Sequence, residues 1–585
     1  MIRKFKTAII LVVLSMILSS CSQSVQTSSP KNPDEIIESS DEKSDEIQLS
    51  EEEKAKEELE IKKAEREALE KKRKDEKGEF YVPLIPIGME REKRKVEVKA
   101  LYATGHTAGN ELNKANIDAY GAYVKALSDN DAGKTKELLA AADKANKFER
   151  IIGIAVGSEI NAIVINVKDD NGFITYNSNV DIVKSMNAST AIQIKDINNV
   201  LKVLKEYDIY TIGRIVTFKD KHFAMAHPEH AIQLKTGGTW LDPNSGKIPW
   251  VNPFDKYVWD YNIAIAKEAA LIGFDEIQFD YVRFPDGAKK YNPITEFPGR
   301  EGRDKDEAIG DFLKYAGEEL KPYSVNIGAD VFGLITRTWD DYPEDIGQNW
   351  LIIGENVDSI CPMIYPSHYS KGWYNLDDPN AYPYLVVKGA LEEAQEKNSA
   401  MEKPPVIRSW IQDFDWAGKK YGPRELRDQV IAAKELGLNE YMVWNPSNNY
   451  NPYSFIESET EKNKVYPLDK GELDFREKSP ADAADKYLNG KLNSLYSHMY
   501  LMTPIKDREQ DFEIFRTKDE NAGIKLSSYK VLGYSIDKND KNSATVSIRY
   551  KYQITKDGAT QVIEKDNVTW NAVKERGIWK VKAEF

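Results

Sequence analysis

The chain has 585 residues, 41% of them hydrophobic, with 81 Lys and Arg against 95 Asp and Glu for a net charge of -14. That length exceeds a usual single domain, so two folded units with tails are expected. The acidic balance argues against nucleic acid as a partner, because phosphate binding needs a basic surface.

The N-terminus opens with Arg3, Lys4 and Lys6, continues through an apolar run from Ala8 to Leu18, and reaches Leu18-Ser19-Ser20-Cys21. A charged start, a short apolar stretch and small residues at the end read as a secretory signal peptide over residues 1–20. The run is shorter than the ~20 apolar residues a membrane-spanning helix needs. A cysteine directly after Leu-Ser-Ser resembles the bacterial lipobox, which implies lipidation at Cys21, palmitate included, and anchoring on the outer face of the cytoplasmic membrane. Cys361 is then left without a disulfide partner. It lies within Ile360 to Ile364 and reads as a buried, inert thiol.

Residues 21–92 are rich in Ser, Asp, Glu and Lys and read as a charged stalk too polar to form a core. Pairs such as Glu52 with Lys56 and Glu67 with Lys71 allow a solvated helix within it.

Residues 93–455 alternate short Val- and Ile-rich runs with amphipathic stretches, the pattern of a parallel sheet covered by helices. Eight runs are expected as strands: Val96 to Tyr102, Ala162 to Val167, Tyr210 to Val216, Glu276 to Phe279, Ser324 to Ala329, Ser359 to Ile364, Val406 to Trp410 and Tyr441 to Trp444. Helices are expected at Lys144 to Gly157, Ile197 to Tyr207, Tyr257 to Ile272, Ala308 to Leu320 and Arg424 to Leu436. This is the α/β plan of a (β/α)8, or TIM, barrel. A doubly wound open sheet is the runner-up, weakened because Ala103-Thr104-Gly105-His106 follows the first strand where a glycine-rich phosphate loop would stand. A polar linker over 456–478 leads to a small α+β domain over 479–585. Its helix, Ala481 to Leu495, precedes period-2 segments at Ser528 to Ile536, Ser543 to Ile554 and Thr569 to Lys582, an order that resembles the nuclear-transport-factor-2-like fold.

In such barrels the reactive groups stand at the C-terminal ends of the strands. Those ends carry His106, Lys168, Asp170, Asp280, Tyr281, Arg283, Asp330, Tyr365, His368, Trp410, Asp413, Trp444 and Asn445. So many polar groups at one end of an apolar barrel are hard to explain as packing. Glycosidic cleavage needs one protonated and one ionised carboxyl. Asp280 and Asp330 close strands four and five, and neighbouring strands lie ~4.8 Å apart, so the two could approach the ~5–5.5 Å separation of a retaining enzyme. Arg214 and Arg283 could orient carboxylates or hold one ionised. Tyr281, Tyr365, His106 and His368 offer hydrogen bonds. Trp410 and Trp444 offer flat faces for a sugar ring, whereas Trp240, Trp250, Trp339 and Trp373 divide between that role and the core, and Trp259 packs. His222, His227 and His230 lie close together, but Pro228 interrupts any shared helical face, so neither a metal nor another cofactor is expected.

Four segments, Val98-Lys99-Ala100-Leu101-Tyr102, Asn166 to Gly172, Gly213-Arg214-Ile215-Val216 and Phe274 to Pro285, resemble the bacterial glycosyl hydrolase domain family over about Val96 to Tyr453. The resemblance implies a barrel of the broad glycosidase clan. More distantly, alpha-amylase-like barrels place a nucleophilic Asp after strand four, an acid/base after strand five and a stabilising Asp after strand seven, where Asp280, Asp330 and Asp413 stand. Those enzymes use Glu where this chain has Asp330, and their Arg precedes the nucleophile whereas Arg283 follows it. The expected function is a surface-anchored hydrolase of an extracellular or cell-envelope polysaccharide. The alternatives are a glycan-binding scaffold lipoprotein and a deacetylase-type enzyme.

Overall fold

The computed structural model describes residues 51–339, 345–556 and 558–585. The signal peptide and Cys21 lie outside the described residues. Two compact units divide the chain, residues 1–64 and 65–585. In the first, residues 51–64 are helical, the opening turns of α1 (Glu51–Lys77), with Leu59 and Ile61 exposed.

The second unit holds the barrel. Its strands are β1 (Lys99–Ala103), β2 (Ala162–Lys168), β3 (Tyr210–Val216), β4 (Glu276–Asp280), β5 (Asn326–Phe332), β6 (Ser359–Ile364), β7 (Val406–Ile407 with Ser409–Gln412) and β8 (Tyr441–Trp444). Every neighbouring pair is parallel, and β8 returns to β1 with Leu101 opposite Val443, which closes the cylinder. All of Ala162–Lys168 and Tyr210–Val216 is buried, as expected where helices cover one face and the barrel interior the other. The covering helices include α2 (Lys114–Ser128), α3 (Lys147–Gly157), α4 (Ile197–Glu206), α5 (Lys256–Ile272), α6 (Lys305–Leu320), α7 (Trp350–Gly354), α8 (Pro383–Asn398) and α9 (Pro423–Glu435). Asn146 caps α3 in a reciprocal box with Glu149, and Asp196 and Asp255 cap α4 and α5.

Inside the cylinder, Val98, Ala100, Tyr102, Ala162, Val164, Ile212, Cys361, Trp410 and Met442 form a cluster of their own. Burial pushes the Cys361 thiol up. Toward the N-terminal ends of the strands the filling is ionic. Arg408 donates to both oxygens of Glu276 (2.7 and 2.9 Å) and to Glu440 (2.7 Å), while Tyr210 and Ser359 also donate to Glu276.

Several boundaries are corrected. The stalk does not run to residue 92. Arg73 donates to the Tyr323 hydroxyl (3.2 Å), Lys77 pairs with Glu319 (3.0 Å), and Val82, Leu84 and Ile85 are buried in the main core. Apolar residues in Phe80 to Ile87 are what carry the chain out of the polar stretch. The segment 456–478 is packed as well: Glu461 is buried against Arg427, and Asp474 against Arg476. Strand β5 runs on to Phe332, three residues beyond the expected end, so Asp330 lies within a strand and not after it.

The C-terminal module contains α10 (Pro480–Asn493), α11 (Tyr496–Met502), α12 (Phe512–Asn521) and an antiparallel sheet of β9 (Ile524–Ile536), β10 (Ser543–Lys556), β11 (Ala559–Glu575) and β12 (Ile578–Lys582). Thr569 to Lys582, expected as one segment, is two strands joined at Arg576-Gly577, where φ is positive at both residues. The module grips the C-terminal end of α8. Arg576 donates to the carbonyl of Asn398 (3.1 Å), Lys580 to that of Ser399 (3.1 Å) and Arg508 to that of Ala400. Cations at that end satisfy orphan carbonyls and oppose the helix dipole.

Candidate active site

The parity of the strands decides which side chains enter the barrel mouth. On β4, Glu276, Gln278 and Asp280 alternate inward, and on β5 Gly328, Asp330 and Phe332 do the same. Phe279 pairs with Ala329, so Asp280 and Asp330 follow matched positions on neighbouring strands. Both line one cavity of about 420 Å³, together with Asp170, Arg214, Tyr281, Arg283, Phe332, Gly333, Leu334, Met363, Tyr365, His368, Tyr369, Trp410 and Trp444. That volume falls within the range of small-ligand sites, roughly 300–1,000 Å³.

Arg214 organises one side of the cavity. Its Nε and Nη2 donate to Asp280 Oδ2 at 2.8 and 2.5 Å, its Nη1 to Asn166 Oδ1 at 2.9 Å, and Nη2 also reaches Asp170 at 3.4 Å. Asn166 is itself held by a bond to the Tyr102 hydroxyl (2.9 Å), and the guanidinium lies 5.3 Å over the Trp444 ring, which stacks on Tyr102. Burial alone would pull the Arg214 guanidinium down, but the Asp280 and Asp170 charges outweigh it and raise it. Burial likewise pushes Asp170 up, and Arg214 overrides this, holding its carboxyl below the ordinary carboxylate range.

Asp330 sits in the opposite environment. It is 1% exposed and receives one neutral donor, the Trp410 indole Nε1, on Oδ1 at 2.7 Å. Burial and then the neighbouring Asp280 charge push it well above the ordinary carboxylate range, against the smaller pull of Trp410 and Arg214. The arrangement therefore holds one carboxyl in an ion pair and favours the protonated form of its neighbour, the separation that acid/base chemistry on one fold requires.

Tyr281 follows Asp280 with φ 48°, a left-handed backbone uncommon outside glycine, and its amide donates to Asp280 Oδ1 at 2.6 Å. Burial lowers the His368 imidazole, whose ring stands 5.4 Å from that of Tyr365. Gly333 is required by close approach, since a Cβ there would lie 2.5 Å from the Met363 carbonyl oxygen.

Four expected residues are not brought to the cavity. Lys168 is fully buried and turned outward, where its Nζ donates to Asp220 (2.8 Å) and to Asn262 Oδ1 (2.6 Å). His106 is exposed on the short helix after β1. Asp413 does not line the cavity; its Oδ2 accepts from Asn445 Nδ2 at 3.0 Å, and the pair forms a separate buried contact among the loops after β7 and β8. Burial raises Asp413 to about 7, only partly offset by that bond. Of the tryptophans, Trp250 and Trp259 are core, Trp240 packs on Tyr291, and Trp339 packs against Tyr500 and Phe512 of the C-terminal module. His230 pairs with Asp255 (2.7 Å) and stacks on Tyr257, while His222 bonds the Met186 carbonyl. Among the described residues no group of three or more His, Cys, Asp and Glu is arranged to hold a metal ion. The sequence reading did not select the apolar wall of Phe332, Leu334, Met363 and Tyr369, or Asn166 and Tyr102 behind Arg214. Strand parity was the available signal for Asn166, which shares a face with Val164.

Among solved structures, a hypothetical protein from Ruminiclostridium thermocellum is 34% identical, matching 40% of this chain and 97% of its own, with a TM-score of 0.28. The PgaB (BpsB) glycoside hydrolase domain from Bordetella bronchiseptica is 13% identical over 62% of this chain and 100% of its own, with a TM-score of 0.39. The spore cortex-lytic enzyme SleL from Bacillus megaterium is 13% identical over 64% of this chain and 77% of its own, with a TM-score of 0.34. No curated protein matches the chain. Residues 138–450, more than half of the sequence, match the family described as "Putative glycosyl hydrolase domain", and the chain belongs to that family.

Proposed function

We propose that the chain is a retaining glycoside hydrolase acting on an extracellular or cell-envelope polysaccharide, with Asp280 as nucleophile and Asp330 as general acid/base. One observation carries this reading: two carboxyls on adjacent strands share a cavity, one held in an ion pair by Arg214 and the other raised by burial. In the first step Asp330 gives its proton to the glycosidic oxygen as an Asp280 oxygen attacks the anomeric carbon, and the bond to the departing sugar breaks. In the second, Asp330 takes a proton from water, whose oxygen attacks the same carbon and releases Asp280. Arg214 orients Asp280 throughout. The sequence supports export and attachment through a lipid on Cys21.

The test is hydrolysis of a panel of defined oligosaccharides with the anomeric configuration of the product followed by NMR. Retained configuration and loss of turnover in Asp280→Asn are expected. Parental rates in that variant, or no hydrolysis of any glycan by the wild type, would sink the proposal.

A further inference from the structure

We infer that the cavity takes an acidic sugar, and that Arg283 binds a carboxylate carried by the substrate beside the Asp280–Asp330 pair. The inference rests on the hydrolase reading of this site and adds a substrate class to it.

The cavity has two guanidinium groups in different situations. Arg214 is fully engaged by Asp280, Asp170 and Asn166. Arg283 is 4% exposed, yet only its Nη1 is well bonded, to the Phe284 carbonyl at 2.8 Å. Its Nη2 lies 3.5 Å from Asp286, a half-exposed carboxylate, and its Nε has no hydrogen-bond partner. Among the described residues lining the cavity, Arg283 is thus the cation whose charge is least matched from within.

The unmatched edge has a particular chemistry. Nε and Nη2 together form the side of a guanidinium that grips a planar carboxylate with two parallel hydrogen bonds. The group is also fixed in orientation. Its plane is packed by Phe332 at 4.3 Å and by Trp250 and Tyr281, each at 5.2 Å. Tyr281 is in turn the residue with the left-handed backbone next to Asp280, so the turn that seats the nucleophile also carries Arg283 back to the cavity wall. Buried cations without a matching anion are costly, and a stacked guanidinium cannot escape to solvent. A carboxylate on the sugar supplies a partner for Nε and a closer one than Asp286 for Nη2. Asp280 and Asp170 both face Arg214, on its side of the cavity, and burial raises Asp330 toward its protonated form.

The test uses the purified chain and three probes, glucuronate, glucose and glucose 6-sulfate, with binding measured by ligand-observed NMR. Wild type is expected to prefer glucuronate to glucose by roughly tenfold or more, and to prefer it to the sulfate ester. Arg283→Gln is expected to bring the glucuronate-to-glucose ratio to within about twofold, and Arg283→Lys, which keeps the charge and loses the fork, to reduce it at least roughly threefold. Should Arg283→Gln fail to fold, the wild-type ratios and the lysine variant decide. Equal binding of glucose and glucuronate, preference for the sulfate, or an unchanged ratio in a folded Arg283 variant overturns the inference. Hydrolysis of neutral glycans without glucuronate preference removes this inference and leaves the hydrolase. Glucuronate preference without hydrolysis of any glycan does the reverse.

Discussion

The indole of Trp410 on β7 donates to the carboxyl of Asp330 on β5 at 2.7 Å, across the width of β6. Two strands that are not neighbours are thereby tied at the depth where Asp330 sits. The aromatic group expected to be a sugar platform, which lines the cavity, also supports the acid.

The pH dependence of turnover follows from that environment. Asp330 works as an acid only while protonated, and its raised pKa carries protonation above the ordinary carboxylate range. Activity is therefore expected to fall as pH rises through the Asp330 transition. The Trp410 N–H favours the charged form, so Trp410→Phe should move this alkaline limb of kcat/KM upward and lower kcat by about tenfold. Asp280→Asn removes the negative neighbour, and the Asp330 carboxyl transition in that inactive variant, followed by 13C NMR, should move downward. A limb that stays in place in Trp410→Phe, with the Asp330 transition also unmoved in Asp280→Asn, would mean that another group sets the profile.

Lys168 gives the contrasting case. Lys168 and Asp220 are both essentially buried and lie in an ion pair away from the cavity, with Asp220 also capping the helix that follows it. Lys168→Ala leaves Asp220 charged and unmatched, and should cost about 3–5 kcal/mol in stability. Urea unfolding measures this, while kcat/KM of the folded fraction should stay within a few-fold of wild type. His106→Ala, at an exposed position, should change stability by no more than about 0.5 kcal/mol.

Asp413 makes a stability prediction with a definite sign. Its folded-state value of about 7 lies above the ordinary aspartate range near ~3.9, so the native state binds more protons than the unfolded state between those limits. The native state therefore loses stability as pH rises from about 4 to about 7. Asp413→Asn keeps a partner for Asn445 and removes the titration. At pH 8 the variant should be the more stable protein, by up to about 4 kcal/mol, and at pH 4 the advantage should vanish. Thermal unfolding at the two pH values checks this, and an equal difference at both would count against Asp413 as the titrating group.

These contrasts show where the sequence was readable. The strands were legible because most are short runs of buried apolar residues, and Asp280 and Tyr365 follow from the end rule of such barrels. Lys168 follows the same rule and breaks it. Simple alternation from Asn166 would aim it inward, but the β2–β3 register shifts between Asn166 and Lys168, and this irregularity turns the lysine to the outer face. Asp413 and Asn445 stand on loops, where period-2 arguments lapse. The docked segment from Arg73 to Ile85 was hidden by composition, since charged residues that pair with the barrel look the same in sequence as charged residues that face water.

The ionic filling around Glu276 and Arg408 has a bearing on traffic. Charges matched so closely at the base of the cylinder, beneath an apolar layer of Ala100, Val164 and Met442, plug the bore. The chamber is closed at its base. On the hydrolase reading, a polymer would enter and its fragments leave by the same end of the cylinder.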